Sequence, residues 1–114
     1  MKTIKDNFIY LELMLGAIEK INLFVDGYNY ESFSKDTKTQ SAVIMQLQII
    51  GELSKRIPLE ISSDIDLPWR QISGLRDIVS HDYFSLDIQT VWQTVIESVP
   101  DADKEIKKYL KHIQ

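Results

Sequence analysis

Residues 39–57, TQSAVIMQLQIIGELSKRI, decide the fold, because they predict a helix that is apolar around most of its circumference. Its apolar positions are Val43, Ile44, Met45, Leu47, Ile49, Ile50, Leu53 and Ile57. In a protein of 114 residues, such a helix must be buried on two sides. One side is expected to face the core, and the other is available for a subunit interface.

Three residues in or next to this helix carry further information. Gly51 lies in the helix interior, where glycine costs about 1 kcal/mol relative to alanine. A glycine at this position therefore indicates a close crossing with another helix. Glu52 follows it directly, as a polar residue on an apolar helix. Pro58 is expected to end the helix.

Another long helix is predicted on the N-terminal side, over residues 3–26. Its apolar residues recur every three or four positions and form one helical stripe: Ile4, Phe8, Leu11, Leu15, Ile18 and Val25. Asp26 and Gly27 are expected to end this helix. Residues 28–38 then read as a polar connection with buried aromatic anchors.

The C-terminal half predicts shorter helices. Residues 58–66 form an acidic, turn-rich link, and Pro68 after it fits the first turn of a helix. The buried face of that helix is expected to contain Trp69, Ile72, Leu75, Ile78 and Val79. A further helix starts near Asp87 and is expected to bury Ile88, Val91, Trp92, Val95 and Val99. Pro100 is expected to kink or restart the chain before the last segment.

Length and composition limit the class of protein. Residues 1–114 fit one domain, and the absence of strand alternation predicts an all-α, up-down bundle of four to five helices. The sequence has no run of about 18 apolar residues and no signal-peptide pattern, so we expect a cytoplasmic protein that makes no use of a membrane. Because it has no cysteine, disulfides and thiolate metal sites are excluded.

The charge distribution limits where an anion can bind. The net charge is −4, which argues against a general nucleic-acid binder. Within residues 58–100, Arg70 and Arg76 are the only basic residues, and they face seven acidic ones. An anion handled in this segment must therefore be met by one of these two arginines or by charges from elsewhere in the fold.

The residues that could carry chemistry lie in the segment 75–84, LRDIVSHDYF, which brings together Arg76, His81 and Tyr83. On a continuous helix, Arg76 and His81 would lie roughly 140° apart. They converge only if the helix ends near Ser80, and the break in apolar periodicity over residues 80–86 predicts that it does.

These residue types suit cleavage of RNA by its own 2′-hydroxyl. A histidine such as His81 can move a proton near neutral pH, and Arg76 can donate to a phosphate. Tyr83 can bind the phosphate or stack on a base. No metal is needed, and two histidines without cysteine make a poor metal site. A structural interpretation is also open: His81 would cap a helix, Arg76 would pair with Asp77 or Asp82, and Tyr83 would anchor the turn.

The segment from Arg76 to Tyr83, RDIVSHDY, resembles the R-x(4–6)-H-x-Y signature of HEPN ribonuclease toxins. Residues 46–57 resemble the helix of HepT-like proteins that carries a Gly-Glu pair, here Gly51 and Glu52. Residues 69–75 and 87–92 are similar to the same family. The resemblance to the HepT-like toxin family therefore spans nearly the whole chain, with its motifs in order.

This resemblance implies a metal-independent ribonuclease without a cofactor, in which Arg76 and His81 are the catalytic pair. It implies a homodimer with one composite cleft, and products with a 2′,3′-cyclic phosphate and a 5′-hydroxyl. Tyr83 matches the tyrosine that an MNT-type nucleotidyltransferase antitoxin modifies with AMP. Three further residues could support the site. Asp77 either orients Arg76 or is merely solvated, and Glu52 either contacts the motif or is an ordinary polar position. Ser80 directly precedes His81.

A second function stays open beside the ribonuclease. The acidic surroundings of the motif are unfavourable for binding RNA. They favour a non-catalytic HEPN module, which would dimerise and bind a nucleotidyltransferase.

Overall fold

A computed structural model describes residues 4–78 and 87–113 of the chain. Its α-helices are α1 Ile4–Val25, α2 Tyr30–Ser34, α3 Thr37–Ser54, α4 Leu59–Ser62, α5 Trp69–Gly74, α6 Ile88–Gln93 and α7 Val99–Ile113. A 3₁₀ turn, Leu75–Asp77, continues α5, and a π-helical segment, Thr94–Ser98, joins α6 to α7. Within the two described ranges there is no strand, so the predicted all-helical fold is confirmed.

The core is built around α1 and α3, which pack against each other along most of their length. α7 packs on α1, and the short α2 contacts both α3 and α6. The most deeply buried core residues come from all of these helices: Leu11, Met14, Ile18, Ile21, Phe33, Val43, Leu47, Val91 and Ile106. The predicted stripes of α3 and α6 contribute Val43, Leu47 and Val91 to the core, and that of α1 contributes Leu11 and Ile18.

A capping network fixes the start of α3. The Tyr28 hydroxyl donates to Asp36 at 2.5 Å, and the backbone N–H of Thr39 donates to the same carboxylate at 3.0 Å. These hydrogen bonds, that from Tyr28 above all, lower the pKa of Asp36 to about 2. The carboxylate is therefore ionised at a helix N-terminus, where the helix dipole favours negative charge.

The end of α3 differs from the prediction. The helix ends at Ser54, and residues 55–57 form turns before Pro58. The backbone N–H of Arg56 donates to the Leu53 carbonyl, and that of Ile57 donates to the Ser54 carbonyl, as in a tightened last turn. The expectation that Pro58 ends the helix was therefore wrong by one turn, because a proline already disfavours helical backbone in the residue before it.

Two predicted connections contain short helices. Residues 28–38 include α2, whose Asn29 and Ser32 form a reciprocal capping box. Phe33 on α2 is fully buried, and its ring centre lies 5.0 Å from that of Trp92. Phe33 is thus a buried aromatic anchor as predicted, whereas Tyr30 is 41% exposed. The link at 58–66 includes α4, which has four residues, too few for a periodic pattern to appear.

The helix predicted from Pro68 to about Ser80 is shorter than expected. Pro68 precedes α5 as its N-cap, and the last 3₁₀ residue is Asp77. The indole N–H of Trp69 donates to two carbonyls of the preceding link, Ser62 at 2.9 Å and Ile65 at 3.0 Å. This tie holds the start of α5 against α4.

Pro100, which was expected to kink or restart the chain, is the second residue of α7 and lies within the helical run from Ile88 to Ile113. A proline lacks the backbone N–H, and its ring clashes with the carbonyl four residues earlier. The π-helical segment Thr94–Ser98 lies immediately before it, and the wider turn accommodates the proline within the run. None of the helices in the described ranges is long and apolar enough to cross a membrane.

Candidate functional site

Arg76 lies on the 3₁₀ turn Leu75–Asp77, which packs against α3. Its side chain is 41% exposed, so the guanidinium group can reach a ligand from solvent. A segment of three residues has little hydrogen bonding of its own to fix its place. The position of Arg76 is therefore determined by what the turn packs on.

Gly51 provides that packing surface. A Cβ atom built on Gly51 would overlap the backbone nitrogen of Arg76 and lie 3.0 Å from the carbonyl oxygen of Ile72. It would also lie 3.0 Å from the carbonyl carbon of Leu75. These are backbone atoms that cannot rotate away, so only glycine allows α3 and the turn to approach so closely. The close crossing predicted at Gly51 is confirmed, and the segment that it meets is the one that carries Arg76.

A pair of serines adds a polar tie at the same crossing. Ser54, one helical turn after Gly51, is buried, and its hydroxyl donates to the Gly51 carbonyl at 2.7 Å. Its oxygen also lies 2.9 Å from the hydroxyl oxygen of Ser73 on α5. The two small residues of α3 thus let α5 and its 3₁₀ extension lie against the helix without an unsatisfied polar group at Ser54.

Four charged side chains, Arg56, Glu52, Arg76 and Asp77, form a row at this crossing, called the charged row below. Glu52 Oε2 lies 3.6 Å from Arg76 Nη1, and Glu52 Oε1 lies 3.7 Å from Arg56 Nη2. Asp77 Oδ1 lies 3.5 Å from Arg76 Nε. These distances are longer than hydrogen bonds, and the groups are about half exposed, so each pair contributes at most about 1 kcal/mol.

The charged row shows which carboxylates lie near Arg76. Glu52 contacts the motif segment through Arg76, and Asp77 lies beside the arginine that it follows. Arg76 is thus flanked by two carboxylates that compensate its charge. A phosphate that binds Arg76 therefore meets the negative charge of both carboxylates.

Ser80, His81 and Tyr83, the other predicted site residues, lie in the segment 79–86, outside the described residues. The 3₁₀ turn that carries Arg76 ends at Asp77, and the convergence of Arg76 and His81 stays a prediction. Within the described part of the chain, no cluster of three or more His, Asp or Glu side chains could hold a metal ion.

Arg56 was not among the site residues predicted from the sequence, where it counted as a solvated residue that could still supply positive charge to the motif segment in a dimer. In the structure its guanidinium carbon lies 6.0 Å from the centre of the Tyr10 ring on α1, and it shares Glu52 with Arg76. The i,i+4 spacing of Glu52 and Arg56 could have indicated their ion pair. The ion pair of Glu52 with Arg76 depends on the crossing of α3 with the 3₁₀ turn.

An all-helical fold in which a glycine-glutamate pair on one helix positions an arginine on a neighbouring turn fits the HEPN class. A model of the HepT-like family, described as Ribonuclease HepT-like, matches residues 14–109. The chain therefore belongs to the HepT-like ribonuclease family.

Relatives of nearly equal length support this assignment. A Thermococcus cleftensis protein named "Probable ribonuclease HepT" is 41% identical over 103 residues, which cover 90% of this chain and 94% of that protein. A Methanocaldococcus jannaschii protein named "Putative RNase MJ0127" is 36% identical over 111 residues, covering 96% and 92%. A Caldanaerobacter subterraneus protein named "Putative RNase TTE0752" is 34% identical over 103 residues, covering 90% and 92%. No solved structure matches the chain.

The crossing at Gly51 gives a first prediction. Gly51→Ala places a methyl group against the backbone of Arg76, and we expect it to lower the free energy of unfolding by roughly 1–3 kcal/mol. Chemical denaturation measures the change. Gly74→Ala is the matched control, because its Cβ would meet nothing within 4 Å, and it should be neutral or slightly stabilising. Equal stability of the two variants would contradict the close crossing.

Proposed function

We propose that this chain is a metal-independent endoribonuclease and the toxin of a toxin–antitoxin pair. The observation that carries the proposal is Arg76, held at the Gly51 crossing and exposed to solvent, in a member of the HepT-like ribonuclease family. Arg76 begins the signature segment that also contains His81 and Tyr83.

In the proposed reaction the RNA supplies its own nucleophile. The 2′-oxygen attacks the neighbouring phosphorus, the bond from phosphorus to the 5′-oxygen breaks, and a 2′,3′-cyclic phosphate and a 5′-hydroxyl result. His81 moves the proton, either from the 2′-hydroxyl or to the departing 5′-oxygen. Arg76 binds the scissile phosphate and stabilises the charge that develops on it. Because a guanidinium group supplies this charge, the reaction needs no metal ion.

Glu52 and Asp77 act in this proposal as the substitute partners of Arg76 before RNA binds. Their ion pairs with Arg76, at 3.6 and 3.5 Å, are long and partly exposed. A phosphate can make two short, parallel hydrogen bonds to a guanidinium group, which is a stronger arrangement. Exchange of a carboxylate for the phosphate therefore gives Arg76 stronger hydrogen bonds. Ser80, which directly precedes His81, is the third supporting residue of the proposal.

A homodimer is proposed from the outward face of α3. Met45 is 55% exposed and Ile49 is 37% exposed, although both are large apolar residues on α3. They lie one turn apart, and Glu52 continues the same helical stripe one turn further. Ile9 and Leu13 are exposed one turn apart on α1. A second copy of the chain would bury these side chains. The two copies of Arg76, one from each subunit, would then lie toward one cleft.

Tyr83 is proposed as the point of control by an MNT-type nucleotidyltransferase antitoxin. The tyrosine oxygen would attack the α-phosphate of ATP, form a bond to AMP and release pyrophosphate. The added nucleotide brings negative charge and bulk seven residues from Arg76, so it would compete with RNA for the same cation. Both proteins are expected to act in the cytoplasm.

One observation favours the second candidate, a non-catalytic module that binds the nucleotidyltransferase. Arg76 is compensated by two carboxylates in the structure, and the chain carries a net charge of −4. In this alternative the charged row would serve only the fold, and RNA would not be cleaved.

Cleavage of a generic RNA in EDTA separates the two candidates. We expect wild type to leave cyclic-phosphate ends, and Arg76→Ala and His81→Ala to lose at least about 100-fold in rate. Arg70→Ala and His112→Ala are the controls, because they remove the same residue types outside the signature. Tyr83 must first be shown to be unmodified. No cleavage by the unmodified wild type would leave the binding module as the function.

The homodimer is tested by placing charge on the apolar face. We expect Met45→Glu combined with Ile49→Glu to convert the dimer to a monomer, because both carboxylates would be buried at the interface. Light scattering after size-exclusion chromatography gives the mass. Leu59→Glu is the control, since Leu59 on α4 is 78% exposed and lies outside α1 and α3. An unchanged mass for the double variant would show that this face is not the interface.

The control point is tested by incubating the protein with its nucleotidyltransferase and ATP. We expect a mass increase of one adenylyl group on Tyr83, located by peptide mass spectrometry, together with loss of RNA cleavage. Tyr83→Phe should take up no AMP because it lacks the hydroxyl group, and the peptide that contains Tyr109 should stay unmodified. An adenylyl group on any other residue, or none, would contradict the assignment of Tyr83.

A further inference from the structure

The charged row contains a second arginine that the proposed reaction does not use. Arg56 and Arg76 come from different elements, yet both lie within 4 Å of the same Glu52 carboxylate. One carboxylate therefore separates the two guanidinium groups. Single-stranded RNA presents successive phosphates, and a protein that holds one of them in place encounters its neighbours as well.

Arg56 matters because few basic residues lie near Arg76 in the sequence. Residues 58–100 contain two basic residues, of which Arg70 lies at the start of α5, outside the charged row. Any further positive charge near Arg76 must come from another part of the fold. Arg56 supplies it from the turn that follows α3.

The surroundings of Arg56 leave its donors accessible. Its side chain is 56% exposed, and its guanidinium carbon lies 6.0 Å from the centre of the Tyr10 ring, at the outer limit of a cation–π contact. An aromatic ring on one side restricts where the guanidinium group can go, while the N–H groups at its edge can still donate to a phosphate. Its ion pair with Glu52 is long, so a phosphate can replace the carboxylate.

We propose that Arg56 binds a phosphate of the RNA next to the scissile phosphate. This inference rests on the proposed ribonuclease function and adds a positioning residue to it. Two guanidinium groups that contact neighbouring phosphates would orient the strand across the site.

Salt dependence of RNA binding tests this assignment. A fluorescein-labelled oligouridylate is titrated with His81→Ala, which should bind without cleaving, over a series of KCl concentrations. Each phosphate contact to a single strand contributes about 0.7 to the slope of log affinity against log salt. We expect Arg56→Gln in this background to bind more weakly and to reduce the slope by about that amount.

Three controls make the result specific. Arg70→Gln should keep the slope of the His81→Ala parent, and Arg56→Lys should restore most of it because the charge is retained. In a Glu52→Gln background, Arg56→Gln should still reduce the slope. If Arg56 acted only by holding Glu52, its substitution would have no effect there, and the assignment would be overturned. Size-exclusion chromatography verifies that each variant keeps the oligomeric state of the parent.

The remaining outcomes separate this inference from the function on which it rests. RNA binding by the parent, with the same slope after Arg56→Gln, would overturn the role of Arg56 and leave the ribonuclease proposal standing. If the parent binds no RNA at low salt, the ribonuclease proposal fails, and the role of Arg56 fails with it.

Discussion

The contact between Gly51 and the backbone of Arg76 is the constraint on which the rest of the site depends. The 3₁₀ turn that carries Arg76 is too short to hold its own position, so it takes its position from α3. α3 is fixed in turn by its packing on α1 and by the capping network at Asp36. The place of the guanidinium group is thus set by the core through a single residue without a side chain. For this reason, Gly51 matters more to the site than any of the exposed ion pairs around it.

The sequence predicted the fold where helices are long and missed it where they are short. The stripes of α1 and α3 recur over enough turns to predict each helix, although the buried face of α1 also includes Met14 and Ile21. Helices α2 and α4 have five and four residues, and tertiary contacts such as the burial of Phe33 hold them rather than periodicity. The end of α3 was also predicted wrongly. A proline restricts the residue before it, so α3 ends before Pro58 is reached.

The sequence predicted those parts of the site in which a single residue is energetically unfavourable unless the fold requires it. Gly51 is unfavourable in a helix interior unless it allows a close approach, and this indicated the crossing before the structure showed its partner. Arg56 carries no such cost, because an exposed arginine four residues after a glutamate is ordinary on a helix. Its proximity to Arg76 results from the crossing and cannot be derived from local spacing. His81 and Tyr83 lie outside the described residues, so their part in the site stays a prediction.

The charge of the protein constrains how it could act on RNA. A chain with a net charge of −4 cannot depend on a broad positive surface to attract a polyanion, as many nucleic-acid-binding proteins do. In the charged row each arginine is already compensated by a carboxylate, so the site presents little net field. A phosphate would therefore bind by exchange with Glu52 or Asp77, one contact at a time. With the proposed role of Arg56, the site would favour strands whose successive phosphates match the positions of Arg56 and Arg76 over a polyanion that matches only one of them.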